Sequence, residues 1–469
     1  MNVQKVEQST DMINPFQPAT FTIQPVKYGS ALVITLASAL AKNAVTSVKV
    51  TYSTTTEARA MNWLTKDQTA TKVLQYLFTQ CEPIECRSIA PMQDTPSIKS
   101  PYSANITVAS PYVVKMSAHE YPLTNNPDST ITYRFHQDIK IPSYLLALAV
   151  GNLAVAPAGL RASIISEPGA DYLDYYARIL QNTSGLLDMA EEYLTKYIWE
   201  DYAILVLPPS FPYGGMENPL LTFASPTIIT PDGSQTYVAT HEIAHSWTGN
   251  EVTCNDWSNM WLNEGFTVFE ERKVSERVHG TEFARIEAQL GNVSLWDDIN
   301  GFGVTNNFSS LYPILTEASP DDSFSEVPYE KGFQFLTFLE SLFVKPEDFQ
   351  AVIRSYILAN SQKSVTYKDF KAALETWVTA NYDATAAPAL LAKIDWETWV
   401  RAPGANPPGN GLDFSTAGAV AFEYLADNYI AMGGKGRPDN YTAYLTTEDP
   451  QLQVIFLNRL TDRIGDLTY

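Results

Sequence analysis

The stretch that decides the fold reads His-Glu-Ile-Ala-His over residues 241–245, and Glu264 follows after eighteen residues within Trp-Leu-Asn-Glu-Gly at 261–265. On a helix, residues i and i+4 share a face, so His241 and His245 can direct both imidazoles at one metal ion while Glu242 points into the same cleft. Glu264 supplies a third ligand. Three protein ligands leave one coordination position open, which is typical of catalytic rather than structural zinc.

Chance is the competing explanation for a five-residue motif of this kind. The chain contains only five histidines, and two of them stand at the spacing that a metal requires. The sequence therefore predicts one Zn²⁺ per chain, held by His241, His245 and Glu264.

Length and charge restrict the remaining possibilities. A chain of 469 residues is expected to form two to four domains with substantial cores. Its net charge of -21 argues against a nucleic-acid partner, because phosphate binding needs concentrated Lys and Arg. The acidic balance mildly favours cationic substrates, although solubility alone is the better explanation of it.

The three cysteines, Cys81, Cys86 and Cys254, are odd in number and lack C-x-x-C spacing, so a disulfide framework is not expected. Residues 1–8 have neither a basic nor an apolar leader segment, and no stretch approaches about 18 uninterrupted apolar residues. We therefore expect a cytoplasmic protein that acts as a monomer and has no membrane partner.

Residue patterns divide the chain. Apolar residues alternate with polar ones at Val48, Val50 and Tyr52 and again at Ile131, Tyr133 and Phe135, which predicts half-buried strands in the first third. From about residue 170 the period becomes helical. We predict an N-terminal β domain over 1–155, a mainly helical zinc domain over 156–402, a Pro/Gly linker over 403–412 and a C-terminal helical segment over 413–469.

Two helices near the end of the zinc domain are specific predictions. Apolar residues recur at Phe349, Val352, Ile353, Tyr356 and Ile357 after Pro346, which is the spacing of an amphipathic helix. A capping box at Thr366 and Asp369 starts a second helix, which carries Phe370, Leu374 and Trp377.

Three further segments are candidates for the site. Gly214 and Gly215 permit close approach of the backbone to a ligand, and Glu217 beside them can bind an ammonium group. Tyr329 precedes an apolar helical run and can donate a hydrogen bond to an oxyanion. Each segment has a plainer explanation taken alone: a surface turn for 214–218, one tyrosine among 26 for Tyr329, and an ordinary loop acid for Glu82.

Together these segments resemble one family, the M1 zinc aminopeptidases, and within it the leukotriene-A(4) hydrolase and aminopeptidase B branch. The resemblance rests on residues 214–218, on 241–245 with 263–265, on Tyr329 within Val-Pro-Tyr-Glu-Lys-Gly, and on 80–82 with 93–96. It extends from about residue 60 to the linker. It implies a multidomain α+β protein whose zinc domain is thermolysin-like.

The resemblance also implies roles for individual residues. Glu242 becomes the general base, and Tyr329 stabilises the oxyanion together with the metal. Residues of the exopeptidase motif and of the 80–82 segment hold the free amino terminus of a peptide: Gln80, Glu82, Gly214, Gly215, Met216 and Glu217. Asp321 is expected at the base of the first specificity pocket, where it favours Arg or Lys. Glu271, two helical turns past Glu264, is expected to support a ligand from behind.

Departures from the family pattern leave alternatives open. The β domain is expected to begin late and the C-terminal helical domain to stop short, so that one alternative is a catalytically impaired product that only binds peptides. The other is a lipid epoxide hydrolase of the leukotriene-A(4) hydrolase type. Glu82 stands where that branch has Gln, and Phe324 stands where it has a second tyrosine. Both departures favour peptide hydrolysis over epoxide hydrolysis.

Overall fold

The N-terminal region consists of antiparallel β-sheets. The computed structural model describes residues 1–10, 15–404, 406–407, 409–433, 435–439, 441–447, 449–463 and 465. The first strands are β1 (Asn2–Ser9), β2 (Gln17–Pro18), β3 (Thr20–Val26), β4 (Gly29–Thr35), β5 (Ser47–Ser53), β6 (Met61–Leu64), β7 (Tyr76–Thr79), β8 (Lys99–Ala109), β9 (Val113–Met116), β10 (His119–Asn125), β11 (Thr130–Pro142) and β12 (Leu148–Gly151). They form four sheets, ordered β2-β1-β5, β10-β11-β8, β6-β7-β12-β9 and β3-β4.

Both strands predicted from alternation are present. Val48 to Tyr52 lie in β5, and Ile131 to Phe135 lie in β11, where Phe135 is buried. Val48 is exposed, however, because the sheet that contains β5 leaves part of its surface open to solvent. The alternation therefore identified the strands more reliably than it identified their burial.

A mixed sheet follows, in a region where the sequence predicts helices. Its strands are β13 (Ala154–Pro157), β14 (Ala162–Ser166), β15 (Tyr202–Val206), β16 (Gly215–Met216) and β17 (Thr222–Ala224), in the order β13-β14-β15-β17-β16. The expectation of helical structure from residue 170 onward is thus wrong for residues 202–224. Short, fully buried strands such as β15 lack alternation and cannot be distinguished from helix by period alone.

Helices surround this sheet. They are α1 (Leu173–Ile179), α2 (Thr183–Tyr193), α3 (Tyr237–Ala244), α4 (Trp261–His279), α5 (Thr281–Phe302), α6 (Gly332–Ser341), α7 (Pro346–Asn360), α8 (Tyr367–Asn381) and α9 (Ala386–Leu391), with the short strands β18 (Thr253–Cys254) and β19 (Ser364–Val365) between them. The five apolar residues predicted for α7 are all buried, and Thr366 and Asp369 form the predicted capping box of α8. The multidomain α+β fold class is confirmed.

The final helices are α10 (Ala417–Ala431), α11 (Thr442–Thr446) and α12 (Pro450–Asp462). Phe422, Leu425, Ile455 and Phe456 bury their side chains together with Ile286 of α5. The predicted linker over 403–412 is irregular at its described residues; residues 405 and 408 lie outside them, as do 434, 440, 448, 464 and 466–469 of the C-terminal segment.

One apolar core joins the β domain to the helices. It runs from Phe78 and Ala149 in the β-sheets to Phe266 on α4 and Trp399. The position predicted for the first domain boundary, 155/156, lies inside β13. No helix in the described ranges has the length and apolar character needed to cross a bilayer.

A hydrogen-bond relay connects the β domain to the helix that carries Glu264. Asn263 on α4 donates from Nδ2 to the Tyr144 hydroxyl at 3.0 Å and accepts from the Cys254 amide at 2.8 Å. The Tyr144 hydroxyl donates to the Gly249 carbonyl at 3.0 Å, just beyond the end of α3. All of these groups are buried, so the relay fixes the start of α4 against the segment after α3.

Candidate active site

The two histidines and Glu264 meet as the sequence predicts. His241 lies on α3 and His245 directly follows it with helical dihedral angles, so both rings project from one side. Their Nε2 atoms are 3.1 Å apart, and Glu264 Oε2 lies 3.5 Å from His241 Nε2 and 3.1 Å from His245 Nε2. These three atoms form a group able to hold a metal ion.

The outer nitrogens fix the orientation of both rings. His241 Nδ1 donates to Glu271 Oε2 at 2.9 Å, which is the supporting position expected for Glu271. His245 Nδ1 donates to the Thr248 carbonyl at 2.9 Å. With the proton on Nδ1, each Nε2 directs a lone pair toward Glu264, as metal-binding histidines do.

The donor set fits a tetrahedral cation. Donors bound about 2.0–2.2 Å from such an ion lie about 3.3–3.6 Å apart, and the three observed separations are within about 0.2 Å of that range. Two lone pairs and a buried carboxylate that face each other also require positive charge between them. Burial raises the pKa of Glu264, but the two histidines outweigh it and lower that pKa to about 2, so Glu264 is a carboxylate. The site is therefore built for a cation.

Glu242 lies beside the donors without being one of this set. Its Oε2 is buried and has no hydrogen-bond partner among the described residues. Gly215 makes this position possible, because a Cβ there would lie 2.2 Å from Glu242 Oε1. Burial raises the pKa of Glu242 to about 8, against the opposing effect of the two histidines. A carboxylate with a pKa near neutrality can both accept and return a proton.

Two further carboxylates are buried next to Glu242. Glu217 lies so close that oxygens of Glu217 and Glu242 and a nitrogen of His245 fall within 4.8 Å of one another. Burial and the neighbouring Glu217 raise the pKa of Glu82 well above its usual value. Oε1 of each of these two acids lacks a hydrogen-bond partner within the described ranges. Gln80 donates to the Met216 sulfur at 3.2 Å and so joins the two segments.

Tyr329 lies on a π-helical turn, Val327–Lys331, that leads into α6. Its ring stacks on His241 with centroids 6.1 Å apart. Burial raises the pKa of its hydroxyl well above the usual value, so the proton stays on the oxygen and is available for donation. Lys331 fixes the turn, since its Nζ donates to the carbonyls of Ser309, Ala402 and Gly404.

A contact between two glycines joins this turn to the metal-binding helix. A Cβ on Gly265 would lie 2.7 Å from the Gly332 Cα and 3.0 Å from the Pro328 carbonyl oxygen. α4 and the start of α6 therefore touch backbone to backbone. Because Gly265 follows Glu264, this approach sets the distance between a metal donor and Tyr329.

One cavity of about 740 Å³ contains the whole arrangement. Of the predicted residues, all but Gln80 line it: Glu82, Gly214, Gly215, Met216, Glu217, His241, Glu242, His245, Glu264, Glu271, Asp321 and Tyr329. Asp321 is the most open of these carboxylates, with a side chain 45% exposed and 4.0 Å from Arg59 Nη2. Phe324 also lines the cavity and packs edge-on against Tyr329.

The N-terminal part and the central part of the chain each match a known domain family. The sequence pattern of the Peptidase M1 N-terminal domain matches residues 1–145, and that of the Peptidase family M1 domain matches residues 178–399. Leukotriene A-4 hydrolase of Xenopus laevis is 42% identical over 393 residues, and Leucine aminopeptidase 2 of Emericella nidulans is 41% identical over 397. These alignments cover 83% and 84% of this chain.

This chain belongs to the M1 peptidase family. The structure of yeast LTA4 hydrolase in complex with bestatin is similar with a TM-score of 0.87 and 34% identity, over 100% of this chain and 71% of that one. The chain spans 63% of the length of the two sequence relatives. The family is a metallopeptidase family, which agrees with the convergent donors.

The M1 peptidase site also contains residues that sequence reasoning missed. Arg272, next to Glu271 on α4, donates to both carboxylate oxygens of Glu330 at 2.8 and 2.7 Å, and its guanidinium covers the Phe333 ring. Glu287 on α5 lines the same cavity. Arg272 and Glu330 adjoin residues already singled out, but 58 positions separate them and no local pattern predicts their pairing.

Proposed function

We propose that this chain is a zinc aminopeptidase, which hydrolyses the first peptide bond of substrates that have a free amino terminus. The observation that carries the proposal is the position of Glu82 and Glu217 in the cavity that holds the three metal donors, each with one buried carboxylate oxygen, Oε1, that has no hydrogen-bond partner among the described residues. An endopeptidase would need an open cleft at that point, whereas this end of the cavity offers a seat for a positively charged amino group.

Zinc is the metal that the donors favour. Two imidazole nitrogens and one carboxylate oxygen, with room for a fourth ligand, are typical of catalytic zinc sites. When bound, zinc would lower the pKa of a water molecule and polarise the substrate carbonyl. His241, His245 and Glu264 would hold the metal, and Glu271 would keep His241 in the required tautomer.

Glu242 would accept the proton of the attacking water and then return it to the leaving amine. Its position supports both steps, because it adjoins the donors and burial keeps its pKa close to neutrality. Replacing it with glutamine preserves the shape but removes the base.

Glu217 and Glu82 would bind the substrate ammonium. Two neighbouring buried carboxylates are costly when both are charged, and a cation between them removes most of that cost. Gln80 and Met216 support them, and Gly214 and Gly215 bring the backbone close to the substrate. Such an anchor allows only one residue before the cleaved bond, which is the definition of an aminopeptidase.

Tyr329 would donate its proton in a hydrogen bond to the oxyanion that develops on the carbonyl. Its raised pKa keeps the donor protonated across the working range of pH.

Asp321, at the more open edge of the cavity, would favour Arg or Lys at the amino terminus. Asparagine at this position should then reduce cleavage of Arg substrates far more than of Ala substrates.

The test is hydrolysis of Ala-, Leu- and Arg-anilides by the purified chain, with and without a zinc chelator and with the Glu242→Gln variant. We expect activity that the chelator removes, that added zinc restores and that the variant lacks. Bestatin, present in the related yeast structure, should inhibit it. A folded, zinc-loaded sample without activity would refute the proposal and favour peptide binding alone.

Epoxide hydrolysis is the second candidate, because one of the relatives is a leukotriene A-4 hydrolase. Phe324 has no hydroxyl to offer beside Tyr329, which argues against it. Turnover of a fatty-acid epoxide without anilide hydrolysis would reverse this preference.

The cytoplasmic location and monomeric state expected from the sequence remain part of the proposal, to be tested by localisation of the tagged chain and size-exclusion chromatography.

A further inference from the structure

The cavity extends past the metal donors into a second compartment, here named the α5–α12 arm. Its walls are Glu287, Leu290, Gly291 and Ser294 of α5 and Pro450, Gln451 and Val454 of α12. The four α5 positions follow i, i+3, i+4 and i+7 spacing, so one face of that helix forms a continuous wall. The proposed function leaves this compartment without a role.

Glu287 is the buried acid of the arm. It is 7% exposed, and neither carboxylate oxygen has a hydrogen-bond partner among the described residues. Burial raises its pKa to about 8 and nearby Glu271 adds to that effect, against the opposing effects of Arg272 and of the neighbouring Ser275 and Gln451 side chains. A buried carboxyl group without a partner is costly, and such groups call for an explanation when a native fold retains them.

No lining cation pairs with the Glu287 carboxylate. Among the described lining residues, Arg272 is the one lysine or arginine; both of its terminal nitrogens bind Glu330, and Nη2 also donates to the main-chain carbonyl of Glu287 at 3.2 Å. The remaining charged lining residues are carboxylates, apart from the two histidines: Glu82, Glu217, Glu242, Glu264, Glu271, Asp321, Glu326, Glu287 and Glu330. A cationic partner for Glu287 would therefore come from outside the cavity wall.

The arm lies on the side of the metal site away from the proposed amino-group anchor. Glu217 adjoins His245, within the same small group of donor atoms. Glu271 instead bonds His241, and Arg272, which follows Glu271 on α4, donates to the Glu287 main-chain carbonyl at 3.2 Å. A peptide whose amino group sits at Glu217 would thus direct its carboxyl-side residues past His241 toward Glu287.

We propose that the α5–α12 arm is a subsite for a lysine or arginine side chain on the carboxyl side of the cleaved bond, with Glu287 as its partner. This inference rests on the proposed aminopeptidase function and adds the class of substrate. Leu290 and Val454 offer apolar surface for the methylene groups of such a side chain, which buries its stem while its charged end reaches the acid. Dipeptides should be poor substrates, because their carboxylate would enter a cavity of like charge.

The experiment uses the full chain loaded with zinc and peptide amides of the form Ala-Xaa-Ala-Ala and Ala-Ala-Xaa-Ala. Xaa is lysine, norleucine or glutamate, so the amino-terminal residue stays constant and norleucine keeps the four-carbon chain of lysine without its ammonium group. Wild type is compared with Glu287→Gln and with Asp297→Asn. Asp297 lies on the same helix but outside the cavity, so this second variant controls for net charge.

We expect lysine to exceed norleucine by about tenfold in kcat/KM at one of the two positions, since a charge-assisted contact is worth about that factor. Glutamate should be the poorest. The ratio should fall to near one in Glu287→Gln and persist in Asp297→Asn. Because each ratio is taken within one enzyme, a general loss of activity does not affect it.

Equal cleavage of the lysine and norleucine peptides by the wild type would overturn the subsite, even if the variant failed to fold. A ratio that survives in Glu287→Gln would overturn the role of Glu287. Hydrolysis of Ala-anilide by the same preparation distinguishes failure of the proposed aminopeptidase function from failure of the subsite alone. Its absence would refute the aminopeptidase function and the subsite together, whereas its presence without lysine preference refutes the subsite alone.

Discussion

Breaking the buried ion pair between Arg272 and Glu330 should destabilise the protein strongly. Both side chains are more than nine-tenths buried, and the two hydrogen bonds between them are parallel. Arg272→Met leaves the Glu330 carboxylate beside Gly291 with no counter-charge. Loss of one partner of such a pair costs about 3–5 kcal/mol in the free energy of unfolding.

For a cooperative unit of about 250 residues, each kcal/mol lowers the melting temperature by about 2–4 °C, so a loss of roughly 10 °C is expected. Thermal unfolding followed by calorimetry on the zinc-loaded chain measures it. Lys371→Met is the control, since Lys371 on α8 pairs with Glu375 at 3.8 Å on the surface, with side chains 40% and 45% exposed. That pair should contribute about 0–1 kcal/mol.

The double variant Arg272→Met/Glu330→Met completes the test. It removes both charges, so no carboxylate is left unpaired, and it should melt above the Arg272→Met variant. If Arg272→Met melts within 2 °C of the wild type, or if the double variant is no more stable than the single one, an unpaired Glu330 carboxylate does not destabilise the protein as expected.

Three further outcomes are expected. Tyr329→Phe should lower kcat by roughly 10²–10³-fold in steady-state anilide assays with little change in KM, because it removes one donor to the oxyanion; a change confined to KM would contradict this. Gly265→Ala should cost about 1–3 kcal/mol in unfolding measurements, since its Cβ would meet Gly332 at 2.7 Å. Gly301→Ala, in open space on α5, should cost nothing. Burial lowers the pKa of Lys99 to about 7 despite Glu251 nearby. Between pH 7 and 10 the unfolded chain therefore binds more protons at this lysine, so stability gains up to about 1.4 kcal/mol per pH unit, a slope that Lys99→Met should lack.

The sequence was most informative where function depends on residues close together in the chain. The i, i+4 spacing brought His241 and His245 onto one side of α3, and the capping box at Thr366 started α8 where expected. Helical geometry also related Glu271 to Glu264 on α4. In each case the structure follows from the period of one helix and needs no knowledge of how helices pack.

The packing between elements could not be predicted from the sequence. The Gly265 and Gly332 contact determines how closely α4 approaches the Tyr329 turn, yet each glycine alone resembles any other glycine in a helix. The strands β15 and β17 show no alternation, so the period of their residues does not distinguish them from helix. Arg272 and Glu330 come from separate helical segments, so their pairing depends on the same close approach.

Glu330 and Glu287 show why one rule about buried charge gives two different conclusions. Both carboxylates line the cavity and both are buried, within reach of the same Arg272. Arg272 donates to both carboxylate oxygens of Glu330, so that pair holds the Tyr329 turn. Glu287 receives no such bond from any described side chain, and a chain selected only for stability would be expected to place an apolar residue there. Its unpaired state is therefore an argument for binding, whereas the paired state of Glu330 is an argument for structure.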